Sequence, residues 1–291
     1  MGSGSVIERE ATSPAASVWK RLRAAAAGLI DLPGLAGLLL SLAAWSGASV
    51  LVGPTLPSPQ AVIADAASNL LSSDRLPGIG LPRGGYFPHL VSTARTVLLG
   101  GGLGAIAGVG TGLASAESRL LANALAPVIS SLGTIPIVIL APFFLIWFGL
   151  SGAAQIALVA IYTATVLHLF TLRGVRNIPA SYLDYAATLG ASPAQRFFAV
   201  RFPGALPEIF GGLRIAGGAA WGLAAVTEML GGQYGSGRVL VALRSVYDLT
   251  GIMAVVLLLG VLAIALDQAI VVLRSMALRW FNPASATGGH P

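Results

Sequence analysis

Of 291 residues, 55% are hydrophobic and 10% charged, with a mean hydropathy of +0.82, a balance that excludes an ordinary water-soluble domain. The 17 Lys and Arg against 11 Asp and Glu would point to nucleic acid in a soluble chain; in a membrane chain the excess reports topology, and no nucleic-acid partner is expected. The absence of cysteine excludes disulfides and thiolate metal sites, His89, His168 and His290 are too scattered for a zinc centre, and a single lysine, Lys20, leaves no Walker A loop.

Met1 to Ser5, MGSGS, reads in part as an appended segment and carries no weight in the fold. Residues 1–30 are expected to form a cytoplasmic segment, with Trp19, Lys20, Arg21 and Arg23 beside an alanine run suiting an interfacial helix over Ser17 to Ile30. Gly34 to Val52 is an uncharged run near the ~20 residues of a full span and longer than the ~7–15 of a secretory signal core. The proline-rich stretch Pro54 to Pro88 reads as an external loop with one short helix near Ala61 to Leu71.

The second span, Thr96 to Ala114, carries Gly100, Gly104, Gly108 and Gly112 at a stride of four, so one helix face is bare backbone that another helix can approach closely. Packing inside one subunit is the plainer reading, a dimer face the other. Leu125 to Leu150 is broken by Pro127, Pro136 and Pro142, which bend a membrane helix and make it a candidate pathway wall. Ala153 to Leu172 is uncharged, with His168 near its inner end, read as a hydrogen-bonding residue rather than a ligand.

Tyr182 to Pro207, YLDYAATLGASPAQRFFAVRFPGALP, is a polar segment between two spans. Pro179 suits a first helical turn and Ala180 to Leu189 favours helix. Gly190 is the natural stop, since glycine enters the left-handed cap without a Cβ penalty. Ser192 and Pro193 restart a short helix as N-cap and first-turn proline, expected to run through Val200 and to end at Pro203 and Pro207. A helix, a glycine elbow and a helix make a rigid docking knob.

Ile215 to Leu230 is the next span, with Trp221 inside it and Glu228 at its outer end; a carboxylate at membrane depth is costly and marks a candidate site. We read Glu228 as structural in the external vestibule before direct solute contact. GGQYGSG, 231–237, lacks the lysine and strand of a phosphate loop and reads as an external turn, and Val239 to Tyr247 as a short external helix. Ile252 to Leu273 is the last span, with Asp267 expected to pair with Arg274, and the tail 281–291 carries no element. Pro136, Pro142, Trp221 and Glu228 are the candidate pathway residues.

The knob resembles the cytoplasmic loop of the inner-membrane permease subunits of bacterial ATP-binding-cassette importers. That loop reads acidic residue, two alanines, three residues, glycine, nine residues, aliphatic, any residue, leucine, proline; here Asp184, Tyr185 and Ala186 are followed at that spacing by Gly190, Val200, Arg201, Phe202 and Pro203. Aspartate for glutamate, tyrosine for the first alanine and phenylalanine for leucine depart from it. LPSP after the first span is similar to the nitrate, sulfonate and taurine group of these permeases. The resemblance implies an all-α integral membrane protein of about six transmembrane helices, a type I (MetI-like) permease fold over residues 31–280 with the coupling loop at 177–207. It implies Asp184, Tyr185, Ala186, Gly190, Ala191, Ser192, Val200, Pro203 and Pro207 as the ATPase-coupling residues, with ATP and Mg on separate ATPase subunits and no cofactor in this chain. The implied partners are those ATPase subunits, a second permease copy, an external solute-binding protein and the lipid bilayer.

With both ends inside, twelve of the 17 basic residues fall on the inner side, which satisfies the positive-inside rule and puts the knob in the cytoplasm. The alternatives are an ion-gradient-driven carrier, which calls for buried ionisable residues mid-span, and an integral-membrane enzyme, which calls for a clustered catalytic set. Asp184, Glu208, Glu228 and Asp267 are isolated from one another in sequence.

Overall fold

The computed structural model describes residues 32–278. The expected interfacial helix over Ser17 to Ile30 and the tail 281–291 lie outside the described residues. The chain forms two compact units, one ending at Gln60 and the other beginning at Ala61.

In the first unit, helix α1 (Leu32–Val52) is apolar all round. Leu40 and Leu51 are 71% and 89% exposed, as suits a helix whose solvent is lipid. Gly53, at φ +74°, begins a 3₁₀ turn, and the indole of Trp45 donates to the Pro57 carbonyl at 3.0 Å, tying the LPSP stretch to the end of the span. Helix α2 (Pro59–Ser68) crosses the boundary between the units.

The second unit contains α3 (Arg75–Gly78), α4 (Phe87–Glu117), α5 (Arg119–Thr134), α6 (Ala141–Phe148), α7 (Gly152–Arg176), α8 (Ala180–Thr188), α9 (Pro193–Arg196), α10 (Phe202–Gly231), α11 (Ser236–Ser245) and α12 (Leu249–Ala277). Among the described residues five helices are long and apolar enough to span a membrane, and α5 with the segment Ile137–Phe148, bent by 95° at their break, supplies a sixth if it is one span. Of its three prolines, Pro127 is absorbed inside α5, Pro136 sits at the break and Pro142 opens α6, where a missing N–H leaves no carbonyl short of a donor.

Helix α7 is the centre of this unit, packed by α4, α10, α5 and α6. It contacts α4 through the glycine face: a Cβ at Gly100 would lie 2.7 Å from Val159 Cβ, at Gly104 2.4 Å from the Ala160 carbonyl oxygen, at Gly108 2.5 Å from that of Ala164, and at Gly112 2.7 Å from Thr171 Cβ. The stripe therefore serves packing within one subunit. Lipid is as apolar as leucine, so what holds these helices is dispersion at close approach, which a side chain on this face would remove.

Two expectations need correction. Pro203 and Pro207 do not end the helix after the knob: α9 passes through a π turn (Phe197–Arg201) into α10, and the candidate span Pro193–Gly231 runs 39 residues. The wider π turn gives the Pro203 ring room against the preceding carbonyls. Asp267 pairs with Arg214 of α10 rather than Arg274, through Nε–Oδ1 at 2.7 Å and Nη2–Oδ2 at 2.9 Å. A facing helix offers the carboxylate both guanidinium donors at once, a geometry its own helix does not reach.

Gly104→Ala should cost about 1–3 kcal/mol through overpacking, whereas Gly110→Ala, with nothing within 4 Å, should be neutral or stabilising by up to about 1 kcal/mol. Thermal unfolding of the two variants in detergent checks this; equal midpoints would contradict the packing role of the stripe.

Candidate functional site

The knob folds as local chemistry dictates. Helix α8 ends in a Schellman motif: Gly190 at φ +79° donates to Ala187 O (2.9 Å) and Ala191 to Ala186 O (3.0 Å). Ser192 then forms a capping box, its hydroxyl accepting from Gln195 N–H (3.3 Å) while its own N–H donates to Gln195 Oε1 (2.8 Å). Both caps satisfy their orphan groups internally, so the elbow keeps its angle without help from a partner. Its outer face is apolar and bare: Tyr185, Leu189 and Phe198 are 68%, 70% and 69% exposed, beside an exposed Asp184. Val200, Pro203 and Pro207 lie half-buried at the root, where Arg201 pairs with Glu117 at the end of α4.

At the opposite end of α10 the carboxylate of Glu228, 1% exposed, is built into a lock. Its Oε2 accepts from the Thr93 hydroxyl and from Gly237 N–H, each at 2.9 Å. Thr93 Oγ1 in turn accepts from Ser236 N–H at 2.9 Å, and His89 Nδ1 accepts from Gly235 N–H at 3.3 Å. The glycines of GGQYGSG are required by this closure: a Cβ at Gly235 would meet Glu228 Cδ at 2.2 Å, and one at Gly237 the Ala225 carbonyl oxygen at 2.0 Å. Glu228 Oε1 is buried without a hydrogen-bond partner among the described residues. Thr93, Ser236 and His89 were not legible as partners, since nothing in the sequence signals a contact between residues so far apart in the chain.

A second polar cluster braces the loops of this end. Arg75 Nη2 donates to Asp65 Oδ1 (2.8 Å) and to the Tyr86 hydroxyl (2.5 Å), Tyr86 donates to Asp65 Oδ2 (2.8 Å), and Arg75 Nη1 pairs with Asp248 Oδ2 (2.6 Å). Asp248 Oδ1 also accepts from Gly251 N–H (2.9 Å), capping α12. Burial, and then the hydrogen bond to Asp65, pushes the Tyr86 phenol well above its usual range, so it stays a donor at any physiological pH.

The four candidate pathway residues fall in two settings. Pro136 and Pro142 are exposed at the bend. Trp221 is 6% exposed and packs among Ala141, Phe144 and Leu158, and Glu228 is held in its lock, so both side chains face the interior of the subunit. His168, expected as a hydrogen-bonding residue, places Nδ1 3.0 Å from Thr111 Oγ1.

Residues 100–282 match the family described as binding-protein-dependent transport system inner membrane component. The chain belongs to this family. It is 31% identical over 229 residues to the aliphatic sulfonates transport permease protein SsuC of Escherichia coli, covering 79% of this chain and 82% of that one. It is 28% identical over 244 residues to the formylaminopyrimidine transport permease protein ThiX of Halalkalibacterium halodurans, covering 83% and 93%. Its fold is similar to that of a chain of the inward-facing MetNI methionine ABC transporter, with TM-score 0.55 and 20% identity over 65% of this chain and 94% of that one. The protein is thus a multi-pass inner-membrane transporter subunit of the type I importer fold, an ABC importer permease for small solutes, and its family implies ATPase and solute-binding-protein partners.

If Glu228 acts as an acceptor for the loop, Glu228→Gln, whose amide oxygen can take the place of Oε2, should stay within about 1 kcal/mol of wild type, while Glu228→Leu leaves Gly237 N–H buried without an acceptor and costs about 1–3 kcal/mol. Unfolding midpoints with limited proteolysis at 232–235 read this directly. Equal loss in both variants would show that the charge is what matters.

Proposed function

We propose that the Asp184 to Pro207 knob docks into a separate ATPase subunit that carries ATP and Mg, and that two copies of this chain face each other around one translocation pathway. The observation that carries this reading is the self-capped elbow presenting exposed Tyr185, Leu189 and Phe198 between two spans. An apolar surface of that kind on a rigid support suits insertion into a cleft. Both chain ends and the knob lie in the cytoplasm in this reading, supported by the inward excess of arginine. An external solute-binding protein delivers the solute. ATP binding closes the ATPase pair, moves the knobs and turns the pathway from inward- to outward-facing, a rigid-body switch, and hydrolysis resets it.

A small oxyanion or organic sulfonate is the solute class favoured, on the strength of LPSP after the first span and of the sulfonate-named relative. The relative named for formylaminopyrimidine supports a pathway that itself discriminates weakly and leaves selection to the binding protein.

Co-purification with a co-expressed ABC ATPase subunit tests the docking. Wild type should retain the ATPase, and Gly190→Arg and Tyr185→Glu should each reduce retention at least tenfold. Tyr185 is exposed, so its variant keeps the fold even if the strained Gly190 variant does not. Retention unchanged in Tyr185→Glu would remove the knob from the interface.

A further inference from the structure

Helix α5, half of the bent pair that passes as a sixth candidate span, is amphipathic. Asn123, Ser130 and Thr134 fall on one face, at spacings of seven and four, and Val128 on the opposite face is 52% exposed. The polar side chains of this face are exposed. The face lines a cavity of about 440 Å³ whose far wall is the inner part of α7, including His168 and Arg176. That volume holds on the order of ten waters. From Asn123 to Thr134 the face extends roughly 16 Å along the helix at 1.5 Å per residue, about half the depth of the hydrocarbon layer.

Three further observations bear on what fills the cavity. The Asn123, Ser130 and Thr134 side chains are exposed, and in hydrocarbon an unpaired amide or hydroxyl would cost several kcal/mol, so this face favours water or a polar solute over lipid. The His168 ring is held at one nitrogen, Nδ1 lying 3.0 Å from Thr111 Oγ1. Arg176, which lines the cavity at the end of α7, is exposed and forms no ion pair among the described residues. An unpaired guanidinium lining a low-dielectric cavity focuses a positive potential into it.

We propose that this face of α5 and the facing end of α7 form the hydrated inner wall of the solute pathway, and that Arg176 gives it a preference for small anions. The proposal rests on the importer-permease reading, with Arg176 on the cytoplasmic side. It places the working surface of the bent span on its polar stripe, below the bend at Pro136 rather than at the prolines themselves.

The natural absence of cysteine makes the test direct. Ser130→Cys, Thr134→Cys and, as the control, Val128→Cys are made singly in the full chain and labelled in inside-out and right-side-out vesicles with anionic sulfonatoethyl and cationic trimethylammonioethyl methanethiosulfonates. Ser130→Cys and Thr134→Cys should react from the cytoplasmic side at least tenfold faster than Val128→Cys. The ratio of anionic to cationic rates should fall at least threefold when Arg176→Gln is added. Rates at 130 and 134 no faster than at 128, or labelling only from the outer side, would overturn the hydrated inner wall; a ratio indifferent to Arg176→Gln would overturn its selectivity. Labelling needs no ATPase, so a chain that labels as expected but retains no ATPase would sink the docking role of the knob and leave the wall standing.

Discussion

The bare-backbone contact between α4 and α7 is the constraint on which the rest of the second unit depends. In lipid no hydrophobic drive pushes helices together, so the approach that glycine alone permits has to supply the attraction. Four glycines bring α4 within carbonyl distance of α7 over three turns, and α7 becomes a buried axis with one face left for α10 and another for the bent span. A similar close approach recurs at Gly174 and Gly212, where an added Cβ would lie 2.9 Å from Glu208 Cβ and 2.8 Å from Phe170 Cβ. The core is therefore held by shape more than by polar pairs.

On that frame, the continuity of α9 through α10 links the two places where function is argued. The knob and the Glu228 lock sit at opposite ends of one helical run, Pro193–Gly231, roughly 58 Å long at 1.5 Å per residue. A displacement of the knob has no flexible joint in which to dissipate except the π turn at Phe197–Arg201. The Arg201–Glu117 pair crosses at that turn to the end of α4, and Thr93 of the same α4 closes the lock at the far end. Helices α4 and α10 are thus pinned to each other near both membrane faces, a geometry suited to moving as one body. Exposed ion pairs contribute little, up to about 1 kcal/mol, so the Arg201 pair positions the knob rather than stabilising the fold.

What the sequence made legible follows from which signals are local. The glycine cap at Gly190, the Ser192 box and the stride of four at Gly100 to Gly112 are settled within a few residues, and the structure shows each as the spacing predicts. Proline as a helix breaker predicts an end at Pro203, but a π turn just before it relieves the clash and the helix continues. The Asp267 partner differs for a related reason: spacing along one helix is visible in sequence and the facing Arg214 is not. The Glu228 lock was half legible. The costly carboxylate and the glycine-rich turn were both marked, but that the glycines exist to let the turn close over the carboxylate is a tertiary fact.

The central claim, ATP-driven import through this chain, is tested most directly by reconstitution. The protein is placed in proteoliposomes with its ATPase subunit and an external binding protein, and accumulation of small anions, alkanesulfonates first, is followed with and without ATP and with ionophores that collapse proton and sodium gradients. The account predicts uptake that requires ATP and persists when both gradients are abolished. Accumulation driven by a gradient in the absence of ATP would contradict it.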